Sequence, residues 1–201
     1  MIEHRYFVLH KPRGIVSQFV SPDDVDLLGD IDFVFPEGTH AIGRLDKDSE
    51  GLLLLTTNKK VTKLLFQGTM PHTRDYLVLV KNAVSQETLE TLQNGVTFKT
   101  FGGADYNTGA CVVSIVTNPE ERFHIETNLR PEIAHTWLLI SLTEGKFHQV
   151  RKMVSAVHHR CKRLIRVAIE DIELGTLKAG EIAELDEVTF FKKLKIEQYK
   201  S

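Results

Sequence analysis

Short apolar runs separated by polar turns recur along the chain, and most have the length and residue types of β-strands. The runs predicted as strands are Tyr6–His10, Leu52–Leu55, Tyr76–Val80, Ala110–Val116, Thr136–Leu142 and Arg163–Ile169. The run 52–55 is apolar at every position, which predicts a strand covered on both faces. Residues alternate in the run 163–169, so Arg166 is expected on the face opposite Ile165 and Val167.

Two segments between these strands carry the 3.6-residue period of an amphipathic helix. Asn58 is placed to cap the first helix and Gly68 to end it, and Ser85 and Gly95 do the same for the second. The side chains expected to face the interior are Val61, Leu64 and Leu65 in the first helix and Leu89 and Leu92 in the second. Both predicted helices are therefore short and have one apolar side.

A third helix is predicted after Gly145, and a long loop before it. In this helix Val150, Met153, Val154 and Val157 are expected to be buried, whereas Gln149, Lys152 and Ser155 face elsewhere. The polar, proline-containing stretch 118–134 is predicted as a loop of a length that is usually functional or mobile.

This order of elements favours the α+β class over a regularly alternating α/β fold. Strands interrupted by three helices predict a mixed, largely antiparallel sheet flanked by helices. The chain has 201 residues, which suits a single domain, 1–201, or one domain with two lobes. The residues after about Lys192 are expected to be loose.

Composition excludes several classes of protein. No apolar run approaches the length of a membrane helix, and the N-terminal segment is too charged for a signal peptide, so a cytoplasmic protein is expected. Cys111 and Cys161 are too few and too far apart for a disulfide framework or a zinc site. We expect both to be reduced structural thiols.

Charge is unevenly distributed, although the net charge is only −2. The segment 145–169 contains seven Lys or Arg, three His and no acid, whereas 14–43 contains six acids and no Lys or Arg. Such segregation produces a local positive field that can collect phosphates. A solvated helix face followed by an edge strand is the alternative interpretation.

The stretch GRLDKDSEGLLLLTTN, residues 43–58, holds three acids between two glycines. A calcium loop starting at Asp46 would need a Glu at its twelfth position, which is Thr57. No Walker-type phosphate loop accompanies it. Asp46 and Asp48 could form a glycosidase pair, but one Trp and four Tyr offer little for a sugar-stacking groove. A plain turn or a single functional carboxylate remains.

Four blocks of the chain resemble the RsuA/RluE family of ribosomal-RNA pseudouridine synthases. They are LHKPRGIVSQF (9–19), the stretch 43–58, RDYLVLV (74–80) and EGKFHQVRKM (144–153). The sequences RLIRVAI (163–169) and LGTLKAGE (174–181) also fit the end of that domain. The similarity is greatest to the RluE branch, whose members act on 23S ribosomal RNA. Most of the family carries an N-terminal S4-type RNA-binding domain, which is expected to be absent here.

The resemblance implies the pseudouridine synthase fold with a central RNA-binding cleft, and an isomerisation of uridine that needs no cofactor and no metal. It implies that Asp46 is the essential carboxylate, acting unprotonated at C1′, at C6 or on the C2′ proton. Arg151 would pair with Asp46 and keep it ionised, and Tyr76 would lie against the uracil. Arg44 would fill the space left by the flipped nucleotide.

Further RNA contacts are expected from the basic surface. The candidates are Lys11, Arg13, His148, Gln149, Lys152, Arg163 and Arg166. Three positions depart from the family pattern: His10 replaces a usual Asn, Arg74 a usual Lys and His148 a usual Arg. All three are expected at the rim of the site.

The implied partner is ribosomal RNA, with 23S RNA favoured over 16S RNA or tRNA. No membrane and no obligatory protein partner are implied, and a monomer is expected. A catalytically idle RNA-binding module is the competing hypothesis. Retention of Asp46, Tyr76 and Arg151 together favours the enzyme, because an idle module has no need for that set.

Overall fold

A computed structural model describes residues 3–66, 70–127, 129, 132–197 and 199 of the chain. The strands are β1 Tyr6–Lys11, β2 His40–Ile42, β3 Glu50–Thr56, β4 Arg74–Lys81, β5 Thr97–Lys99, β6 Asp105–Asn107, β7 Val112–Val116, β8 His135–Leu142, β9 Cys161–Ile169, β10 Ile172–Glu173 and β11 Ile182–Leu185. The helices are α1 Val61–Phe66, α2 Gln86–Asn94, α3 Pro119–Phe123, α4 Gln149–Ala156 and α5 Glu187–Lys193, with a short 3-10 helix at Leu28–Asp30. The fold is α+β with a mostly antiparallel sheet flanked by helices, as predicted.

The chain divides into two compact units. Unit 1 comprises residues 1–72 and 166–201, and unit 2 comprises 73–165, so the boundary falls within β9. In unit 1 the strand order is β11-β1-β3-β9, with β2 paired to β3 and β10 to β9. In unit 2 the order is β4-β8-β7, and β5 and β6 form a separate hairpin.

The consecutive leucines of β3 are buried on both faces of the sheet in unit 1, as predicted. On one face Leu53 and Leu55 pack with Phe7 and Leu9 of β1 in an apolar cluster. Side chains from the segment 15–35 cover this cluster, among them Phe19, Phe33 and Phe35. On the other face Tyr6 contacts Phe190 and Phe191 of α5, with ring centroids 4.6 and 5.5 Å away.

The core of unit 2 lies between its strands and two helices. Val78 and Val80 of β4 and Leu138 and Ile140 of β8 are buried with side chains of both helices. The helical members of this cluster are Leu89 and Leu92 of α2 and Val150, Met153 and Val154 of α4. These are the side chains that the helical period places inside.

Local signals in the sequence account for the ends of α2. Ser85 has extended backbone angles, and its Oγ accepts a hydrogen bond of 3.1 Å from the Thr88 amide. The helix ends at Gly95 with φ of 99°, a conformation that glycine adopts without a steric penalty. Both ends are confirmed. The predicted stop of α1 at Gly68 lies outside the described residues.

The predicted loop 118–134 is partly wrong, because α3 forms at its start. Pro119 stands at the first turn with Glu120 and Glu121 behind it, which suits the free amides and positive end of a helix. Residues after Lys192 were expected to be loose, and this is also partly wrong. Leu194 is fully buried and the Ile196 amide donates to the Phe191 carbonyl.

One side-chain direction differs from the prediction, because Gln149 is buried rather than turned away from the core. Arg166, expected on the face opposite Ile165 and Val167, is also buried, at 3% exposed. The polar groups of both side chains form hydrogen bonds within the protein in place of bonds to water. Among the described residues no helix combines the length and the apolar character needed to cross a bilayer.

Candidate active site

The turn that carries Asp46 joins β2 to β3 in unit 1. The Ser49 amide donates 3.0 Å to the Asp46 carbonyl and closes the turn around Lys47 and Asp48. Asp46 is partly exposed, whereas Lys47 and Asp48 are exposed and Ser49 is buried. Asp46 thus lies at the border between the protein interior and solvent.

Ser17 holds the residue before Asp46. Its hydroxyl donates to the Leu45 carbonyl at 2.7 Å and accepts from the Leu45 amide at 3.1 Å. Ser17 is 2% exposed, so water does not replace these bonds. One buried side chain therefore fixes both backbone polar groups adjacent to Asp46.

Lys11 holds the other side of the turn. Its Nζ donates to the Pro12 carbonyl at 2.8 Å, to the Ile15 carbonyl at 2.7 Å and, at 3.5 Å, to the Lys47 carbonyl. The Gly14 amide also donates to the Lys47 carbonyl, at 2.9 Å. The loop after β1 and the turn with Asp46 are thereby joined through their backbones.

Burial disfavours the charged form of Lys11, and nearby acids favour it. Burial lowers the pKa of Lys11 to about 8, and attraction from Glu50, Asp46 and Asp48 opposes this lowering. The side chain is fully buried, a position in which the neutral form is favoured unless acids are near. The pKa of Lys11 therefore falls within the pH range used for enzyme assays.

Arg166 supports the start of the same turn from β9. Its Nε donates to the Leu52 carbonyl and its Nη2 to the Gly43 carbonyl, both at 2.8 Å. Leu52 belongs to β3 and Gly43 is the first residue of the turn. The guanidinium therefore ties the turn to the sheet.

These positions do not support three of the predicted RNA contacts. Lys11 and Arg166 are buried, and their cationic groups donate to backbone carbonyls. Gln149 in unit 2 is likewise buried, with its Nε2 donating 2.6 Å to Glu144. All three have structural hydrogen bonds in place of the predicted contact with RNA.

The other predicted cations of unit 1 are at the surface. Arg44 is exposed beside Leu45. Arg13 is exposed too, and its Nε lies 3.9 Å from Asp48 Oδ1. Since both partners of this ion pair are more than half exposed, it contributes little to stability and leaves Arg13 accessible.

Tyr76 lies near the start of β4 in unit 2. It pairs with Ile140 of β8 in the antiparallel register and is partly exposed, with part of its ring against the core of this unit. The apolar part of the ring is thus anchored while another part remains accessible. An anchored, accessible ring suits stacking on a base.

Arg151 lies in the third position of α4 and is partly exposed. Its Nη1 is 3.6 Å from Cys161 Sγ. The residue lines a pocket of about 520 Å³ together with Ser155, His158, His159, Arg160 and Cys161. This pocket carries cationic groups and, among its lining residues, no acid.

The turn before α4 is ordered by a carboxylate. Glu144 accepts hydrogen bonds from the Tyr106 hydroxyl and from Gln149 Nε2, and Gln149 Oε1 accepts 2.8 Å from the Lys146 amide. His148 occupies the position before the helix with φ of 56°, a left-handed conformation that is uncommon outside glycine. Its ring stacks on Phe147 with centroids 3.8 Å apart.

The remaining predicted RNA contacts of unit 2 are partly exposed. Lys152 lies over the Phe98 and Phe147 rings, with its Nζ 5.4 and 5.8 Å from their centroids. Arg163 Nη1 donates 2.5 Å to the Glu126 carbonyl. Both side chains reach the surface, so both remain candidates for contact with phosphate.

The three departures from the family pattern occupy different environments. His10 is buried in β1, and its Nδ1 is 2.7 Å from the Leu177 carbonyl, so its predicted place at a rim is wrong. Arg74 is partly exposed, and its Nη1 lies 3.0 Å from where a Cβ at Gly145 would be. His148 is partly exposed beside Phe147.

Sequence reasoning missed Ser17 as a supporting residue. It stands between Val16 and Gln18 in the block 9–19, and a lone serine there is a weak signal of a buried hydrogen bond. Within the described residues no group of three His, Cys, Asp or Glu could hold a metal ion. The pairing of Asp46 with Arg151 and Tyr76 stays a prediction.

Comparison with known proteins identifies the family. Residues 5–156 match the family described as RNA pseudouridylate synthase. This chain belongs to that family. An RNA pseudouridylate synthase isomerises uridine in RNA, and all but two of the predicted site residues, Arg163 and Arg166, lie within the matched segment.

Individual relatives agree with this membership. The chain is 33% identical to ribosomal large subunit pseudouridine synthase E of Vibrio parahaemolyticus over 90% of its own length and 74% of the relative's. It is 30% identical to ribosomal small subunit pseudouridine synthase A of Yersinia pestis over 92% and 71%. The RNA pseudouridylate synthase family thus includes relatives named for both ribosomal subunits.

A solved structure supports the same fold for this RNA pseudouridylate synthase. A crystal structure of a pseudouridylate synthase superposes with a TM-score of 0.77 at 26% identity, covering 96% of this chain and 75% of that one. The predicted pseudouridine synthase fold is therefore confirmed, and the enzyme class with it.

Proposed function

We propose that this enzyme isomerises a specific uridine of 23S ribosomal RNA to pseudouridine. The observation that carries the choice of RNA is the similarity to a synthase named for the large subunit over 90% of the chain. The relative named for the small subunit is somewhat less similar. Modification of 16S RNA by the same chemistry is the second candidate.

The reaction conserves every atom of the nucleotide. The bond from N1 of uracil to C1′ of ribose breaks, the base turns, and C5 bonds to C1′. The proton on C5 is lost and N1 gains one, so no electrons enter or leave. The enzyme must therefore supply an ionised group, a binding place for the turning base and a path for one proton.

Asp46 supplies the ionised group in this proposal. Three buried side chains hold the backbone of its turn. Ser17 donates to the Leu45 carbonyl, Lys11 to the Lys47 carbonyl and Arg166 to the Gly43 carbonyl. Such support fixes the backbone position from which the carboxylate projects. A carboxylate aimed in this way can act at C1′, at C6 or on the C2′ proton.

Tyr76 and Arg151 act on the same nucleotide in this proposal. The Tyr76 ring stacks on the uracil, its hydroxyl oxygen accepts the C5 proton while its own proton passes to solvent, and the Arg151 guanidinium keeps Asp46 ionised. Arg44 fills the space of the flipped nucleotide, since it is exposed two residues before Asp46. Flipping costs a few kcal/mol, which stacking and phosphate contacts must offset.

Accessible polar side chains hold the RNA in this proposal. Arg13 of unit 1 and His148, Lys152 and Arg163 of unit 2 are the accessible members of the predicted set. Lys11, Gln149 and Arg166 act on protein structure instead, because their polar groups donate to the carbonyl and carboxylate oxygens described above. A monomer working in the cytoplasm without an obligatory protein partner completes the proposal.

The choice of target is tested by mapping pseudouridines in ribosomal RNA. RNA from cells with and without the gene is treated with carbodiimide and read by reverse transcription, which stops at modified uridines. We expect one stop in 23S RNA to vanish without the gene and to return when it is restored. A stop that vanishes in 16S RNA alone would establish the second candidate.

Asp46→Asn tests the role of the carboxylate, and Asp48→Asn is the matched control from the same turn. We expect Asp46→Asn to lower the rate of pseudouridine formation by about two orders of magnitude or more, the range over which a positioned acid–base group acts. Its RNA affinity should be nearly unchanged. Asp48→Asn should be close to wild type, because Asp48 is exposed and pairs weakly with Arg13. Substantial turnover by Asp46→Asn would contradict the proposal, and inactivity of the wild type on every RNA would favour the idle binding module.

A further inference from the structure

Two large aromatic side chains of unit 2 are exposed next to each other. Phe101 is 91% exposed and Phe147 is 59% exposed. Their ring centroids are 6.2 Å apart with an interplanar angle of 88°. Phe101 lies in the loop of the β5–β6 hairpin, and Phe147 in the turn before α4. Neither residue belongs to the set predicted from the sequence.

Contacts within the protein hold the segments on both sides of this pair. In the hairpin the Thr100 amide and the Thr100 hydroxyl both donate to the Ala104 carbonyl, at 2.8 and 3.0 Å. On the other side His148 stacks on Phe147. We name Phe101, Phe147 and His148 the aromatic platform. A surface held in this way loses little conformational freedom on binding.

Cations surround the aromatic platform. Lys152 Nζ lies 5.8 Å from the Phe147 centroid, and Lys146 Nζ lies 4.9 Å from the Tyr106 centroid. Two nearby acids have partners within the protein. Asp105 forms an ion pair with Lys99 at 2.7 Å, and Glu144 accepts hydrogen bonds from Tyr106 and Gln149. The platform therefore combines exposed ring faces with positive charge.

This combination fits an unpaired nucleotide better than an apolar protein surface. Aromatic rings stack on bases of any sequence, and neighbouring lysines attract the phosphates that connect the bases. The centre of a protein interface is, by contrast, depleted in charged residues. The ring of Phe101 is open to solvent over most of its area, so a base has a face on which to stack.

We propose that the aromatic platform binds an unpaired base of the RNA substrate, while Lys146 and Lys152 contact the adjoining phosphates. The inference rests on the proposed function, because it takes RNA as the substrate. It adds a place where the single-stranded character of the bound RNA is sensed. The platform is a binding site and takes no part in the chemical step.

Binding of two labelled RNAs by fluorescence anisotropy tests this inference. The first probe is a single-stranded RNA of about 12 nucleotides, within the usual span of a single-strand site, and the second has the same backbone with abasic residues at its central positions. We expect the wild type to bind the first probe about fivefold to tenfold more tightly, the lower end of what one stacked base contributes. The variant Phe101→Ala/Phe147→Ala should lose this preference, binding both probes like the abasic one.

Matched variants separate stacking from charge and from folding. Val112→Ala removes another exposed apolar side chain of unit 2 and should keep the full preference. Lys152→Gln should weaken both probes by the same factor, since phosphates are present in each. Phe101→Trp in place of alanine should preserve the preference. Circular dichroism checks that each variant is folded.

The results distinguish this inference from the proposed function. One contrary result is that the double variant keeps the preference for the RNA with bases, and another is that its affinity for both probes falls by the same factor. Either result would show that the platform does not stack a base, and a protein partner would then be the better explanation for it. At saturating RNA the double variant should still form pseudouridine, which Asp46→Asn should not. If the wild type forms no pseudouridine but its base preference depends on the two phenylalanines, the proposed function fails and the platform stands.

Discussion

The residues nearest Asp46 act mainly through the backbone. Ser17 bonds to both polar groups of Leu45, and Lys11 and Arg166 donate to carbonyls at either end of the turn. Each of these side chains is buried. A buried polar side chain satisfied in this way is costly to remove, because the backbone groups it leaves behind lose their partners.

Ser17→Ala tests this support. The substitution leaves the Leu45 amide and carbonyl without the serine hydroxyl, so we expect the free energy of unfolding to fall by about 1 to 3 kcal/mol. The turnover rate should fall more than the KM for RNA rises, because Asp46 is less well held. Urea unfolding and steady-state kinetics measure the two effects. Ser21→Ala, at an exposed hydrogen bond to the Asp23 amide, is the control and should change stability by less than about 0.5 kcal/mol. Equal effects from both serines would contradict a special role for Ser17.

The pKa of Lys11 predicts a dependence of stability on pH. Burial lowers this pKa from 10.5 to about 8 in the folded protein, while the unfolded chain keeps the ordinary value. Between these two pH values the unfolded state binds the proton that the folded state has released, so the free energy of unfolding contributed by Lys11 rises with pH. One pKa unit corresponds to about 1.4 kcal/mol, so the rise is roughly 3 kcal/mol over the whole window.

Urea unfolding of the wild type and of Lys11→Met, from about pH 7.5 to about pH 10.5, measures this contribution. The difference in stability between the two proteins should be constant below about pH 8 and should shift in favour of the wild type above it. Other titrating groups are common to both proteins and cancel. Parallel pH profiles would show that burial does not shift the pKa of Lys11.

At the scale of elements, the ends of helices determine how α2 and α4 meet the sheet of unit 2. Ser85 and Gly95 bound α2, and His148 begins α4 in a left-handed conformation. Gly95 lies against the strand region that follows β6, where a Cβ would come within 2.5 Å of the Thr108 carbonyl. The close approach of two backbones leaves no room for a side chain.

Gly95→Ala tests this close approach, and Gly102→Ala is its control. We expect Gly95→Ala to lower the free energy of unfolding by about 3 kcal/mol, combining a strained positive φ with overpacking. A methyl group at Gly102 would meet no atom within 4 Å, so its substitution should be neutral or slightly stabilising. Thermal or urea unfolding compares the two. A small effect at Gly95 would mean that the strand moves to admit the methyl group.

Elements with strong periodic patterns were predicted well from the sequence, and short or irregular ones were missed. The helical period placed Leu89, Leu92, Met153 and Val154 inside, where they are buried. The two-residue strand β10 and the three-residue strands β2, β5 and β6 are too short to show a period. Helix α5 was missed although Asp186 caps it, its Oδ1 accepting 2.9 Å from the Thr189 amide.

At the scale of the whole molecule, the separation of charge predicts how RNA binding responds to salt. The net charge is −2, but the segment 145–169 contains seven Lys or Arg and no acid. If its exposed cations neutralise phosphates, the logarithm of the binding constant should fall linearly with that of salt concentration, with a slope of about −0.7 per phosphate on single strands. The acidic segment 14–43 lies in unit 1, whereas most of the basic segment lies in unit 2.

Arg160→Gln and Lys162→Gln test this response, since both residues are exposed members of the basic segment. We expect each substitution that removes a phosphate contact to reduce the steepness of the salt slope by about 0.7. Lys178→Gln, at an exposed lysine in unit 1, should leave the slope unchanged. Anisotropy titrations over a range of salt concentrations provide the slopes. A flat salt response of the wild type would contradict the role of the basic segment.

The sequence by itself determined the family, the main strands and the residue types available for chemistry, because these depend on local patterns and on blocks such as residues 43–58. Only the tertiary structure decided which polar groups are buried. Lys11, Gln149 and Arg166 look like surface residues in the sequence but are satisfied by carbonyl and carboxylate oxygens within their own units. Phe101 and Phe147 are far apart in the chain and are neighbours only after folding. Contacts between residues distant in sequence arise from packing of the whole chain, and no local pattern encodes them.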